Sequence, residues 1–292
     1  MRIGRFFALV AALMLASCAG QQQSASNSGG PINVVTTIST FNSIVASVGG
    51  IYVTVKNLVP VGASPETYQP TPQDVATLAQ AQLLVENGAG LETWLAKTIA
   101  NVGSTKLRTV VCSNGLTIRE GNPHLWMDPI NGKHYAIAIR DALIAMDPSH
   151  ADQYRANARR YTAALDMQTK SIAARIASIP PAQRMMIIQH NAFVYYNARF
   201  GIRTLGVIEV NPGQDPNPQQ LANLIKLAKQ YHARAIFSEP EYSAKLAQQI
   251  AGNANIKVVS NLYDDSLGTL PQVQTYIGLL NYDTDVIVKS LR

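Results

Sequence analysis

One unbroken helical pattern, from Asp147 to Ile179, restricts this chain more than any other feature. Asp147-Pro148 supplies a start, because proline's fixed φ suits a first helical turn, and Pro180-Pro181 supplies a stop. Ala151, Tyr154, Ala158, Tyr161 and Leu165 recur at steps of three and four, and Ile172, Ile176 and Ile179 resume the stripe. A helix of about 32 residues rises roughly 48 Å at 1.5 Å per residue. It is long enough to run down one lobe and along another. A single strut of this kind predicts little motion between the parts it joins.

On both sides of the strut, short β-branched runs alternate with amphipathic stretches, the pattern of α/β units with parallel sheets. Strands are expected near 32–37, 52–59, 82–87 and 108–113, then near 184–189, 203–208, 234–239 and 256–261. Helices fit 40–49, 72–81 and 91–101 in the first part, and 191–199, 217–230, 242–252 and 273–291 in the second. Thr71, Pro72 and Asp74 give the helix at 72 a well-formed start. The expected architecture is α/β, with two lobes, each a parallel sheet flanked by helices, joined by one long rigid helix. The boundaries are 31–146 for the first lobe, 147–179 for the linker and 180–292 for the second lobe.

The N-terminus sets the compartment. MRIGRFFALVAALMLAS has two arginines, a short apolar run and small residues, the layout of a secretory signal over 1–17. Its apolar run falls short of the roughly 20 residues that span a bilayer. Leu15-Ala16-Ser17-Cys18 resembles a bacterial lipobox, which would place a lipid on Cys18; cleavage after Ala19 is the plainer alternative. Polar residues follow to position 30 as a solvated tether. Loss of Arg2 and Arg5 lowers the basic count from 24 to 22 against 18 acidic residues, a net charge of +4 with no basic stripe. Nothing in that points to nucleic acid. With Cys18 lipidated, Cys112 is the one remaining thiol, so no internal disulfide forms.

Ligands of parallel α/β sheets gather beyond the carboxyl ends of strands. Four metal-capable side chains fall just there: Glu66, His124, His190 and Asp265. Two imidazoles and two carboxylates from separate loops are able to close around one divalent zinc, manganese or iron ion. Pro65 and Pro70 flank Glu66, and Pro123 and Pro129 flank His124, so both loops are stiffened beforehand. Each residue also has a plainer reading. Glu66 fits a solvated loop carboxylate, His124 a satisfied core residue, and His190 a helix-start residue bonded to backbone. Asp265 fits a cap or turn, with Asp264 equally available. His134, His150, His232, Cys112, Met185, Met186, Tyr195 and Tyr196 read as ordinary helix-face or core residues.

Beyond spacing, the stretches PVGASPETYQPTPQD, NPHLWMDP, QHNAFVYYNARFGI, VNPGQDPNPQQLANLI, IFSEP and LYDDSLG resemble the cluster 9 metal-binding solute-binding proteins of bacterial ABC importers. The resemblance covers nearly the whole mature chain. It implies a monomeric extracytoplasmic receptor that holds one divalent metal ion in the cleft between its lobes. The ion would pass to an ABC permease and its ATPase, and the lipid that the lipobox places on Cys18 would anchor the receptor to the membrane. The family's four ligand positions fall on Glu66, His124, His190 and Asp265. One departure stands out: the family usually has Pro-His-x-Tyr where this chain has Pro-Glu-Thr-Tyr. The stretch GLTIREGN also lacks the histidine-rich loop common in zinc members. Ligand hardness therefore favours manganese or ferrous iron, while the Irving–Williams order favours zinc. Two alternatives remain at this level: a metal-dependent hydrolase with Glu66 as general base beside a three-ligand site, and a surface adhesin.

Overall fold

The computed structural model describes residues 30–103 and 106–292. The expected signal segment, Cys18 and all of the tether except Gly30 lie outside the described residues. Strands β1 (Ile32–Thr36), β2 (Val53–Asn57), β3 (Leu83–Glu86) and β4 (Arg108–Val111) form one sheet in the order β2-β1-β3-β4. Strands β5 (Met185–Ile188), β6 (Arg203–Val207), β7 (Ala235–Phe237) and β8 (Lys257–Val259) form the other, in the order β6-β5-β7-β8. Every pair is parallel, and the two lobes share one topology.

Parallel neighbours need crossovers, and helices supply them. These are α1 (Ser39–Gly49), α2 (Pro72–Ala79) and α3 (Leu95–Val102) in the first lobe. Further along the chain come α4 (Pro129–Met146) and α5 (Ala151–Ala177), then the second lobe's crossovers α6 (Val194–Phe200), α7 (Pro218–Gln230) and α8 (Lys245–Ala254). Helix α9 (Tyr276–Leu291) closes the chain. The start at Thr71 forms as read: its hydroxyl accepts from the Asp74 amide, and the Asp74 carboxylate accepts from the Thr71 amide at 2.7 Å. Among the described residues, no helix is long and apolar enough to cross a membrane.

Two differences from the sequence reading have physical causes. The long helix spans Ala151–Ala177 and not the expected 147–179, and at its start Pro148–His150 winds into a tighter 3-10 turn. Asp147 fastens that turn, accepting from Ser149 at 2.5 Å, Tyr154 at 2.8 Å and His150 at 2.6 Å. Helix α4 is absent from the helical ranges expected from the sequence, although His134 reads as a helix-face residue. It packs against α1 and α5 and buries Tyr135, Ala136, Ile139 and Leu143, yet Ile137 stays exposed. Apolar residues on several faces blur the one-sided stripe by which an amphipathic helix is found.

Burial ties the lobes together. Each sheet is covered on both faces, so adjacent residues of a strand enter different clusters. Val34 and Val85 face a shared core, while Val35 and Leu84 face a smaller one with Leu58, Leu78 and Leu95. The second lobe repeats this with Ile188 and Phe237 inward and Ile187 and Ile236 outward. The shared core runs from β1 through Trp126, the α5 stripe and α9 without a break. Polar bonds close the seam between lobes: Trp126 Nε1 donates to the Asp264 carbonyl at 2.9 Å, and Tyr276 donates to the Trp126 carbonyl. The Leu267 and Tyr276 amides reach Ser39 and Ser43 of α1 at 2.9 and 3.0 Å.

One core serving both lobes should melt as one unit. Calorimetry is expected to show a single thermal transition. Ile172→Ala, in the α5 stripe, should lower stability by about 2–5 kcal/mol, the range for emptying a buried aliphatic site, and still leave one transition. Two separable transitions would contradict the shared core.

Candidate metal centre

Glu66, His124, His190 and Asp265 are brought together in the fold, each offering a ligand atom within 4.8 Å of the others. Glu66 comes from the loop after β2 and His124 from the loop after β4. His190 lies at the end of β5 and Asp265 beyond β8. His124 Nε2 lies 3.1 Å from His190 Nε2 and 3.5 Å from Asp265 Oδ1, and His190 Nε2 lies 4.0 Å from Asp265 Oδ2. Two donors on a tetrahedral ion with bonds of about 2.1 Å stand roughly 3.4 Å apart, so these spacings suit a single ion.

Local structure aims each side chain. Trp94 Nε1 donates to the Pro65 carbonyl at 2.8 Å and fixes the loop at Glu66. Asn87 Nδ2 donates to the Pro123 carbonyl at 2.8 Å and steadies the approach to His124. His190 Nδ1 is bonded to Glu239, which follows β7, and Tyr242 lies over the His190 ring at 5.2 Å. His124 Nδ1 faces Asn122 Oδ1 at 3.2 Å, so both imidazoles turn Nδ1 outward to a partner and Nε2 inward to the cluster.

Charge in the site is one-sided. Asp264 and Glu241 stand behind the four side chains, and in the ion pairs of the described residues Asp264, Asp265 and Glu239 meet only histidines. Glu66 Oε2, Glu239 Oε1, Asp264 Oδ2 and both Asp265 carboxylate oxygens are buried without a hydrogen-bond partner. Buried oxygens of this kind call for a cation or a proton. Burial raises the pKa of Glu66, helped by Asp265 and Glu239 and opposed by the two histidines. Burial, with Glu239 beside it, pushes Asp264 well above the carboxylate range. Glu241 is raised to about 7 by burial and Asp265. Burial opposes charge on His190, but Glu239 and Asp264 outweigh it and hold its pKa well above that of free imidazole. A divalent cation placed among these oxygens would offset both their burial and their mutual repulsion.

Sequence reasoning left out Glu239, although it directly follows a strand and passes the same test as the other four. Asp264 was noted only as a substitute for Asp265, whereas both face the cluster. The other histidines lie elsewhere: His134 bonds the Asn114 carbonyl at 2.8 Å, and His150 pairs with Asp147 and stacks on Tyr52. Cys112 is buried as a free thiol.

The chain is similar to proteins of known function. Residues 34–290 match the family model described as zinc-uptake complex component A, periplasmic. The chain is 32% identical over 299 residues to the iron-binding protein YfeA of Yersinia pestis, covering 99% of this chain and 96% of that one. It is 28% identical over 294 residues to the manganese ABC transporter substrate-binding lipoprotein PsaA of Streptococcus anginosus, covering 96% and 95%. Among solved structures it resembles a Mn-bound periplasmic metal binding protein from Candidatus Liberibacter asiaticus. The TM-score is 0.80 at 29% identity, over 89% of this chain and all of that one.

Glu239→Gln keeps the shape and one acceptor oxygen for His190 Nδ1 but removes the charge. Loss of such an outer partner should weaken zinc or manganese binding by roughly 10–100-fold. Titration calorimetry checks this, and an unchanged affinity would show that His190 does not depend on Glu239.

Proposed function

We infer the function from a premise: this chain belongs to the family of the periplasmic component A of zinc-uptake complexes. It is a metal-binding receptor of an ABC importer, taking up a divalent transition ion outside the cytoplasm for transfer to a permease driven by its ATPase. The observation that carries this reading is the convergence of Glu66, His124, His190 and Asp265 on one point, amid carboxylate oxygens that lack a partner. The ion is cargo. Four side chains from two lobes enclose it, which suits holding and delivery better than the open water position a hydrolase needs. In this reading the mature protein is a monomer, begins at a lipidated Cys18, and is held to the membrane by that lipid. It has no catalytic activity of its own.

Manganese or ferrous iron fits the donor set best. Two imidazoles and two carboxylates make a harder site than three imidazoles, and with Glu66 and Asp265 ionised the site is neutral around a divalent ion. Zinc still binds, because it stands higher in the Irving–Williams order.

Elemental analysis of protein purified without chelators should find one transition ion per chain. His124→Ala should abolish retention through purification. No bound metal, or two equivalent ions, would overturn the reading.

Glu66→His should turn the site toward zinc. The substitution exchanges a hard anionic oxygen for a softer neutral nitrogen and leaves a net positive charge at the ion. Zinc tolerates this through stronger nitrogen bonds. The zinc-to-manganese affinity ratio should rise by roughly tenfold or more, about 1.4 kcal/mol per decade. Glu66→Ala should weaken both metals, less than His124→Ala does. An unchanged ratio in Glu66→His, with unchanged affinity in Glu66→Ala, would place Glu66 outside the coordination sphere.

A further inference from the structure

The loop that carries His124 is fastened less to its own lobe than to the other. Residues Arg119–Asn122 make a tight reverse turn, with the Asn122 amide donating to the Arg119 carbonyl at 2.8 Å. Glu120 and Gly121, at its centre, both have left-handed backbones, with φ of 51° and 71°. Such a turn needs outside support when its first central residue is not glycine. Tyr195 of α6 provides it. Its hydroxyl accepts from the Arg119 amide at 2.9 Å and donates to the Asn122 carbonyl at 2.8 Å. The Asn122 side chain adds a third bond across the seam, Nδ2 donating to the Asn191 carbonyl at 2.7 Å. Asn191 is the residue after His190.

That third bond fixes more than position. A carbonyl only accepts, so the Asn122 amide must present its NH2 group to Asn191 and its oxygen to His124. Asn122 Oδ1 accepts from the His124 backbone amide at 3.0 Å and faces His124 Nδ1 at 3.2 Å. An amide oxygen has no proton to give, so the proton of the neutral ring resides on Nδ1. This is the minor tautomer of histidine in water, and it leaves the Nε2 lone pair directed at Asp265 and His190.

We propose that Asn122 is the positioning residue of the metal site. Its carboxamide selects the Nδ1–H tautomer of His124 and, with Tyr195, latches the His124 loop to the His190 loop. Both imidazoles then meet the ion as one preformed pair, and opening this latch sets the rate at which the ion leaves. The inference rests on His124 being a ligand. Asn122 is 9% exposed and Tyr195 4% exposed, so water competes little for these bonds.

The test uses zinc as the probe, followed by competition with a chromophoric chelator and by stopped-flow release. His124→Ala sets the reference. Loss of binding there keeps the site reading, and unchanged binding would sink that reading before Asn122 is considered. Given loss, Asn122→Ala should weaken zinc by ten- to a hundredfold, chiefly through faster dissociation. Tyr195→Phe should speed dissociation to a smaller degree. Asn122→Asp keeps the acceptor for Nδ1 but sets an oxygen against the Asn191 carbonyl, so it should keep the tautomer and still release faster. Nitrogen-15 imidazole spectra of chelator-treated protein above pH 8 should show His124 as Nδ1–H in wild type and Asn122→Asp, and as Nε2–H in Asn122→Ala. An Nε2–H ring in wild type would overturn the proposal whatever the variants do. So would wild-type release rates in both Asn122 variants.

Discussion

The structure is arranged around a pocket of buried carboxyl groups. Glu66, Glu239, Glu241, Asp264 and Asp265 converge on two imidazoles, and several of their oxygens have no partner. Each buried ion costs several kcal/mol of lost hydration unless something opposite in charge stands beside it. A fold that only loosely held these groups would let them turn outward to water. The frame around them is accordingly stiff. Trp126 is fully buried between the lobes, packs edge-on against Phe41 at 5.6 Å and holds the Asp264 carbonyl. Asp128, two residues further, starts α4 and takes two guanidinium nitrogens of Arg199 from α6, the closest at 2.6 Å. A cation entering the cluster relieves repulsion that the shared core otherwise bears, so ion binding and fold stability are linked.

The two lobes use one topology for different ends. In each sheet the connections diverge between the first and third strands, where a crevice opens at the carboxyl ends. In the second lobe that crevice holds His190 and Glu239. In the first it holds Glu92, whose carboxylate accepts from Thr37 at 2.6 Å, Asn87 at 2.9 Å and Gly88 at 3.0 Å. Burial raises the pKa of Glu92 to about 7 against the pull of those donors. So the first lobe fills its crevice from within, and its contributions to the cluster come from the outer strands β2 and β4. Among the described residues, a duplicated framework thus brings Glu66, His124, His190 and Asp265 together at its seam.

Much of this was legible in the sequence because the relevant signals are local. Strand runs, the Thr71 start and the α5 stripe depend on residues a few positions apart. The set Glu66, His124, His190 and Asp265 was legible because a parallel sheet places its strand ends on one edge. What the sequence did not disclose depends on pairing across the fold. Glu239 passes the strand-end test as a candidate, but its task, holding His190 Nδ1, is visible only in the fold. Asn122 and Tyr195 look like loop and core residues until Asn191 and Arg119 are seen opposite them. Helix α4 is hard to see because apolar residues such as Ile137 also lie off its buried face, which blurs the one-sided pattern.

The distribution of the four side chains along the chain bears on how an ion would leave. His190 begins right after the short strand β5, and its ring is bonded to Glu239 beside β7. Asp265 follows Asp264, whose carbonyl is held by Trp126 and whose side chain caps the Asp265 amide at 2.5 Å. The second-lobe half of the site is therefore built into sheet and seam. Glu66 instead stands on a long loop set by prolines and one bond from Trp94, and the His124 loop is held by Asn87 and by the Tyr195 and Asn122 bonds across the seam. Because α5 and the shared core oppose separation of the lobes, the freedom left to the site lies in those two loops. Prolines limit what the loops sample but do not anchor them. Local displacement of a loop breaks few bonds, whereas bending α5 breaks the backbone ladder of a helix. On the function proposed above, an ion would leave by displacement of the first-lobe loops, with the Tyr195–Asn122 latch opening against the second-lobe wall.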